Sequence, residues 1–583
     1  MRLEEYWGIG PKTSELLAGE LGVERAVEAI ETANTRALTA AGLSRGRATR
    51  ILRRATGAES MDLLATRDTR DVYKELLDLA EEYAVTGDAA DKIRVLTPLP
   101  TCEAMTERLD DVLEAKTTWS ELSDNDQRAV LDAFDRYDAG TGERAAVETA
   151  LALLETGVGD GVFERVAALD ADALADARAA LAGLAGEGER VGEGADAELD
   201  RLRTQLGDVE DLAAATPEVV EAVQEGARRP ADFQDALVRY VTDETGMDAA
   251  RVRDAMPSEA TDAQDFVDAA LRELRRSLRS AVEERETAVA ERLEDDLAAA
   301  REDIDAAVSV VDDVSLAVSL ARFAIAYDLT RPTFVDRETI AVRNARNLAL
   351  ADDVQPITYA VGDHTLDVER ANAPPSGDRV AVLTGANSGG KTTLLETLCQ
   401  VQLLAQMGLP VPADAAEVGV VDTVVFHRRH ASFNAGVLES TLRSVVPPLT
   451  GGDRTLMLVD EFEAITEPGS AANLLHGLVT LTVDRDALGV FVTHLAADLE
   501  PLPDAARTDG IFAEGLDPDL NLQVDYQPRF GTVGKSTPEF IVSRLVANAS
   551  DPVERGGFET LAQAVGEEAV QRTLSDVRWN EGE

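Results

Sequence analysis

Two cysteines, Cys102 and Cys399, are too few and too far apart to build a disulfide framework. A reduced interior is the default for such a chain. The five histidines (His364, His427, His430, His476, His494) fall into no zinc-binding spacing with them. No stretch of about 18 apolar residues occurs, so no helix is expected to span a membrane. The opening MRLEEYWGIG has no basic-then-apolar signal pattern. Secreted and membrane roles are therefore not expected, and the expectation is a cytoplasmic protein. Lysine is also scarce: of 56 basic residues only Lys12, Lys74, Lys92, Lys116, Lys391 and Lys535 are lysines.

What is abundant is acid. Asp and Glu number 109, and the formal charge is −53. Hydrophobic content of 45% excludes a disordered acidic chain. A folded protein this acidic repels itself at low ionic strength. In molar salt the Debye length falls to about 3 Å and the repulsion is screened. The composition resembles that of a salt-loving, archaeal cytoplasm; the plainer alternative is simply an acidic protein. At roughly 150 residues per domain, 583 residues predict three to four domains.

The first 60 residues depart from this balance. Gly8-Ile9-Gly10-Pro11-Lys12 and Gly42-Leu43-Ser44-Arg45 each precede an amphipathic stretch, which predicts two paired helical hairpins. Between Ala33 and Gly57 lie six arginines (36, 45, 47, 50, 53, 54) and no acid. Such a window within an acidic chain suits an anionic partner. Glycine turns let exposed N–H groups approach phosphate, with Lys12, Arg45, Arg47 and Arg50 adding charge. None of this reads base edges, so sequence-independent DNA binding is expected. A helical packing or dimerisation module is the alternative.

Residues 61–335 read as almost wholly helical. Leu271, Leu274, Leu278 and Val282 form a coiled-coil-like seam. Arg272, Arg275, Arg276 and Arg279 share a face that can meet phosphate or, equally, pair with nearby glutamates. Breaks are expected at 182–194, 226–230 and 257–262. After Pro332, apolar runs at 380–383, 455–459 and 488–492 alternate with helical stretches, predicting a doubly wound sheet over 336–550. Residues 551–583 read as a helical tail.

Gly385-Ala386-Asn387-Ser388-Gly389-Gly390-Lys391-Thr392 matches the phosphate-binding loop G-x-x-x-x-G-K-[ST], followed by Thr393. It follows an apolar strand and opens a helix, so backbone N–H groups and the helix N-terminus face the same phosphates. Lys391 is expected on the β and γ phosphates of ATP and Thr392 on Mg²⁺. Sixty-nine residues later a strand ends in Asp460-Glu461. Asp460 would hold the Mg²⁺ shell and Glu461 would polarise water. A third strand ends in Thr493-His494; His494 is either structural or a contact to phosphate or water.

These motifs resemble the ATPase domain of MutS proteins. The loop is followed by Gln400-Val-Gln-Leu-Leu-Ala-Gln-Met-Gly-Leu-Pro-Val-Pro412; Asp460-Glu461, Thr466-Glu467-Pro468-Gly469 and Thr493-His494 come in the family's order. Upstream, Asp313 to Arg322 with Arg331-Pro332 resembles the lever helix, and Leu96-Thr-Pro-Leu-Pro-Thr101 with Glu107 to Glu114 the start of the helical core. The resemblance covers about 95–545. It implies that Asn387 positions the γ-phosphate, that Glu439 lies in the loop communicating between subunits, and that His494 is the switch histidine. It further implies a homodimer whose paired arms, about 195–300, embrace DNA. Departures are Phe462-Glu-Ala-Ile465 after the acids and Asn434-Ala435 before Glu439. No segment resembles the Phe-x-Glu mismatch wedge or the small C-terminal nuclease domain, which points to an archaeal branch without mismatch reading. The expected architecture is multidomain: an all-α helix-hairpin-helix module (1–60), an all-α core with clamp arms (61–335) and an α/β P-loop ATPase domain. Function is expected to be ATP-dependent, non-specific DNA binding in recombination or its repair. Two other classes are alternatives. A structural-maintenance or transporter ATPase would carry Leu-Ser-Gly-Gly, which is absent; a nucleotide-switched ribosome-associated relative differs by the nucleic acid it binds.

Overall fold

The computed structural model describes all residues except 1–2, 7, 32, 58–59, 141, 186–189, 227–231, 351–354, 370–372, 386–389, 430–434, 453, 466–467, 517–521, 535–537, 550, 567–569 and 571–583. The chain divides into two compact units, Met1–Gln127 with Val314–Glu583, and Arg128–Asp313. This grouping differs from the boundaries expected above: the first part of the helical region, 61–127, shares a unit with the α/β part.

The N-terminal helices are α1 (Pro11–Glu20), α2 (Val23–Glu31), α3 (Thr35–Ala40) and α4 (Arg45–Gly57). The turns before α1 and α4 are built alike. Gly8 and Gly42 both have positive φ (81° and 94°), a conformation that glycine adopts without strain. Ile9 and Leu43 then point into one small core with Leu17, Ile30, Leu38 and Ile51. The Gly10 and Ser44 carbonyls accept the first helical bonds, from Thr13 and Ser14 and from Arg47 and Ala48.

The α/β part holds two sheets. The larger has the order β12-β11-β6-β10-β9-β8, from β6 (Val380–Gly385), β8 (Thr423–His427), β9 (Thr455–Asp460), β10 (Leu488–Val492), β11 (Ala506–Leu516) and β12 (Leu522–Phe530). Strands β8 to β6 and β11 run parallel; β12 is antiparallel. The smaller sheet has the order β3-β7-β4-β5, from β3 (Thr333–Val335), β4 (Thr339–Ala345), β5 (Ile357–Gly362) and β7 (Ala415–Gly419). Gln527 joins the two sheets, accepting from the Thr358 N–H (2.8 Å) and donating to the Thr358 carbonyl (2.8 Å).

The continuous apolar runs have a simple origin. Alternate residues fill the two faces of the large sheet. Ala381, Leu383, Leu456, Leu458 and Val490 face a core with the helix Lys391–Gln406. Val380, Val382, Met457, Val459 and Phe491 face another with the helices Ala435–Thr450 and Pro468–Asp484. The glutamines after the phosphate loop act as buried brackets. Gln406 pairs with both the N–H and carbonyl of Val421, and Gln402 donates to the Gly419 carbonyl (3.0 Å). They hold the segment beyond β7 against the helix.

Strand β8 forms the far edge of the large sheet, and the helix Arg67–Glu81 closes it. Thr69 Oγ1 donates to the Val424 carbonyl (3.1 Å) and accepts from the Phe426 N–H (3.0 Å); Thr66 Oγ1 donates to the Phe426 carbonyl (2.5 Å). Val72, Tyr73, Leu76 and Leu77 complete the packing in the same core as Leu394 and Leu398. An edge that would otherwise template pairing is thereby covered.

Residues 128–313 are largely helical, and their two longest complete helices are Ala197–Ala214 and Ala263–Ala299. Leu271, Leu274 and Leu278 are buried with Leu202 and Val209. Asp196 caps the first helix by accepting from the Leu199 N–H (2.9 Å) and also takes two bonds from Arg285 on the second (2.9 and 2.7 Å). The Arg285 bonds, then the cap, hold its carboxyl down at about 2. The Gly-rich stretch near 190 is a minimal hairpin of β1 (Leu184–Ala185) and β2 (Arg190–Val191).

Thr69→Val keeps the shape but removes the two bonds that Thr69 makes to β8 and leaves the Phe426 N–H without its partner. It should lower stability by about 1–3 kcal/mol, the cost of leaving buried peptide groups unpaired. Thermal unfolding in molar KCl checks this, and an unchanged midpoint would contradict the edge-closing role.

Candidate active site at the strand ends

The polar residues gather where the parallel strands end. The carboxyl ends of β6, β10, β9 and β8 lie side by side, the position where open α/β sheets bind ligands. Gly385 closes β6 with φ 139°, and a Cβ there would stand 2.3 Å from the Ile511 carbonyl oxygen. Only glycine passes that point. Gly390 (φ 68°) caps the helix Lys391–Gln406, with the half-exposed Tyr526 ring against it. Ala386, Asn387, Ser388 and Gly389 lie outside the described residues.

Lys391 is buried, and its Nζ donates to the Gly385 carbonyl (3.2 Å). Burial pulls its pKa down, while Glu461 and Asp460 oppose that pull. Thr392 Oγ1 donates to Asp460 Oδ2 at 2.5 Å. Asp460 is buried, and burial raises its carboxyl above the usual range. Among the described residues its Oδ1 has no hydrogen-bond partner. A buried, orphaned carboxylate oxygen beside a hydroxyl is a hard-oxygen site that suits Mg²⁺. Thr393 sits one residue further, its carbonyl accepting from Asn347 Nδ2 (3.3 Å).

Glu461 follows in a left-handed conformation, φ 41°, which a non-glycine residue adopts only when its surroundings impose it. Its N–H donates to the Val492 carbonyl (3.0 Å), tying it to β10. His494 Nε2 lies 3.0 Å from Glu461 Oε1, and Arg429 Nη1 lies 2.7 Å from Oε2. The His494 bond, against the opposing effect of burial, and then the His494, Arg429 and Lys391 charges hold the Glu461 carboxyl below its ordinary value. Glu463 fixes the histidine in turn: its Oε1 accepts from the His494 N–H (2.6 Å) and from Thr493 Oγ1 (2.9 Å).

The structure thus brings together Gly385, Gly390, Lys391, Thr392, Asp460, Glu461 and His494. Glu439 is elsewhere, on the exposed face of the helix Ala435–Thr450, paired with Arg443 (2.7 Å). Asn434, Thr466 and Glu467 lie outside the described residues. Sequence reading missed Arg429 and Glu463. No motif marks either; both are found only through the neighbouring strand ends.

The DNA-contact candidates are partly occupied at home. Gly8, Gly10, Lys12, Arg45, Arg47 and Arg50 are exposed. Arg45 nevertheless pairs with Asp91, Arg47 donates to Thr13 Oγ1 (2.6 Å), and Arg50 donates to the Gly46 carbonyl (3.1 Å). On the helix Ala263–Ala299, Arg276 pairs with Glu273 (2.8 Å) and Arg279 with Glu210. Arg272 is exposed and Arg275 half-buried. The side chain of Arg36 lies outside the described residues.

Residues 381–496 match the family model MutS domain V. A protein of Pyrococcus furiosus named DNA-binding protein MutS2 is 45% identical over 222 residues, 37% of this chain and 38% of that protein. DNA mismatch repair protein MutS 1 of Halobacterium salinarum is 29% identical over 510 residues, 82% of this chain and 50% of its own length. Endonuclease MutS2 of Shouchella clausii is 27% identical over 263 residues, 44% of this chain and 31% of its own. The chain spans half or less of the length of each of these relatives. Residues 381–496, which carry the site described above, are thus similar to MutS domain V.

Proposed function

We propose that the chain hydrolyses ATP and uses the cycle to control sequence-independent DNA binding by a homodimeric clamp, in DNA recombination or its repair. The observation that carries the first part is the meeting of Lys391, the Thr392–Asp460 pair and Glu461 at adjacent strand ends. The loop 385–392 cradles the phosphates through backbone N–H groups, and Lys391 adds charge to the β and γ oxygens. Thr392 and Asp460 would hold Mg²⁺, which supplies charge neutralisation at the phosphates. Glu461 orients the attacking water and accepts its proton, with His494 positioning that carboxylate. The Tyr526 ring beside Gly390 offers an aromatic surface at the mouth of the site.

The DNA reading rests on the Pyrococcus relative's name, on the arginine window and on the two matching glycine turns before α1 and α4. These turns support a helix-hairpin-helix module over 1–60. All its groups suit phosphate rather than base edges. Phosphate binding weakens steeply as salt rises. At molar salt a few phosphate contacts hold DNA poorly, whereas arms (about 195–300) closed around it need not grip each phosphate. A dimer through 340–583 supplies the second arm, and twofold symmetry is the commonest arrangement for such assemblies.

Glu461→Gln should still bind ATP but lose on the order of 10²-fold or more in turnover; Lys391→Ala should lose nucleotide binding itself. Turnover and equilibrium nucleotide binding, measured side by side, separate the two. Parent-rate hydrolysis by the Gln variant would remove Glu461 from its role.

For the clamp, closed circular DNA should retain the protein through a high-salt wash in one nucleotide state while short linear DNA releases it. Equal loss from both contradicts encirclement. Matched and singly mismatched duplexes should bind within about threefold of each other, well under the ~1–3 kcal/mol of a base-reading contact. Light scattering in several-molar KCl with ATP should report a dimer; a monomer hydrolysing at full rate contradicts that assembly.

A further inference from the structure

Arg429 lies opposite Glu461 because of strand register. Strands β8 and β9 are parallel neighbours, with His427 level with Val459. Continuing both chains by two residues brings Arg429 level with Glu461, and the guanidinium meets the carboxylate at 2.7 Å. Its neighbour Arg428 faces the other way and is anchored. The Arg428 N–H donates to Asp68 Oδ2 (2.8 Å), its guanidinium lies over the Phe426 ring, and it pairs with Glu396. The backbone beneath Arg429 is thereby fixed, while the Arg429 side chain itself is 56% exposed.

We propose that Arg429 is a lock on Glu461: its guanidinium holds the carboxylate that orients the attacking water, and hydrolysis is held back until this ion pair opens. The proposal rests on the reading of Glu461 given above. A carboxylate used to orient water must present an oxygen to it. Glu461 is buried, with Oε1 engaged by His494 and Oε2 by Arg429. Each oxygen keeps a lone pair that can face water, but a guanidinium on Oε2 lowers the basicity that proton acceptance needs, so the reaction gains when one partner leaves. His494 is tied down through the Glu463 bond to its own N–H. Arg429 is exposed, and among the described residues its guanidinium is anchored by Glu461 itself. A triphosphate on the loop beside Lys391 supplies the competing anion, since guanidinium forms paired bonds with phosphate as readily as with carboxylate. Arg429 is therefore a positioning residue whose release couples occupancy of the loop to the freeing of Glu461.

The test is steady-state hydrolysis by the full chain in molar KCl. Arg429→Ala should raise basal kcat about five-fold, the scale a half-exposed ion pair supports, with KM within about twofold of the parent. Arg429→Lys, which keeps the charge but not the fork, should give a smaller rise. The double variant Arg429→Ala, Glu461→Gln should be as inactive as Glu461→Gln alone, because the lock acts only through that carboxylate. If Glu461→Gln is inactive but Arg429→Ala is no faster than the parent, the lock is wrong. A fall in kcat for Arg429→Ala would likewise overturn it and make Arg429 a group that assists the reaction. If instead Glu461→Gln hydrolyses at the parent rate, the underlying reading of the site has failed. Nucleotide binding and circular dichroism of each variant confirm that the folded, ATP-binding chain is what is being compared.

Discussion

Burial of the parallel strands on both faces is the constraint from which the site follows. Strands β6, β10, β9 and β8 have helices against either face, so nearly every side chain along them is apolar and enclosed. Polar chemistry has no place along such strands and is displaced to their ends. Parallel pairing then puts the ends of four sequence-distant strands in one row. That row contains Gly385, Thr493-His494, Asp460-Glu461 and Arg428-Arg429, in spatial rather than chain order. The site is a consequence of the sheet order, and the segments between the strands set only which residue each end delivers.

The same row explains why the N-terminal helices matter to a site more than 300 residues away. Strand β8 is an edge, and its position is set by Thr66 and Thr69 on one side and β9 on the other. Asp68, between those threonines, accepts from the Arg428 N–H. Hydrogen bonds from Thr66, Asp68 and Thr69, all at the first turn of the helix Arg67–Glu81, thus reach β8 and Arg428, and they fix the backbone one residue before the arginine that contacts Glu461.

Much of this was legible in the sequence, and the division has physical causes. The strands at 380–385, 455–460 and 488–492 were readable because doubly buried strands are uninterrupted apolar runs. The phosphate loop and Asp460-Glu461 were readable because their spacing along the chain is itself the chemistry. Arg429 was not, because its role depends on register between β8 and β9, which no local pattern encodes. That Thr66 and Thr69 bond a strand 355 to 360 residues away is likewise a tertiary fact. The packing of 61–127 with the α/β part was hidden for a related reason. Helical periodicity shows that a face is buried, but not which element buries it.

The division of labour between arginine and lysine ties the charge of the chain to its site. With 109 acids and 56 bases, one-to-one pairing would still leave nearly half of the carboxylates to solvent and ions. Where a carboxylate does find a partner, geometry favours arginine: Asp196 with Arg285 and Asp422 with Arg454 each use two nitrogens on one acid. Directional, paired hydrogen bonds retain value when screening removes most of the Coulomb term. Lysine offers a point charge on a narrow stem instead. The phosphate loop is a place where that is needed, since the buried Lys391 chain must pass between Gly385 and the acids of β9. At the β8 end of the row the two arginines divide: Arg428 turns to Glu396, while Arg429, at the open margin, sets its fork against Glu461.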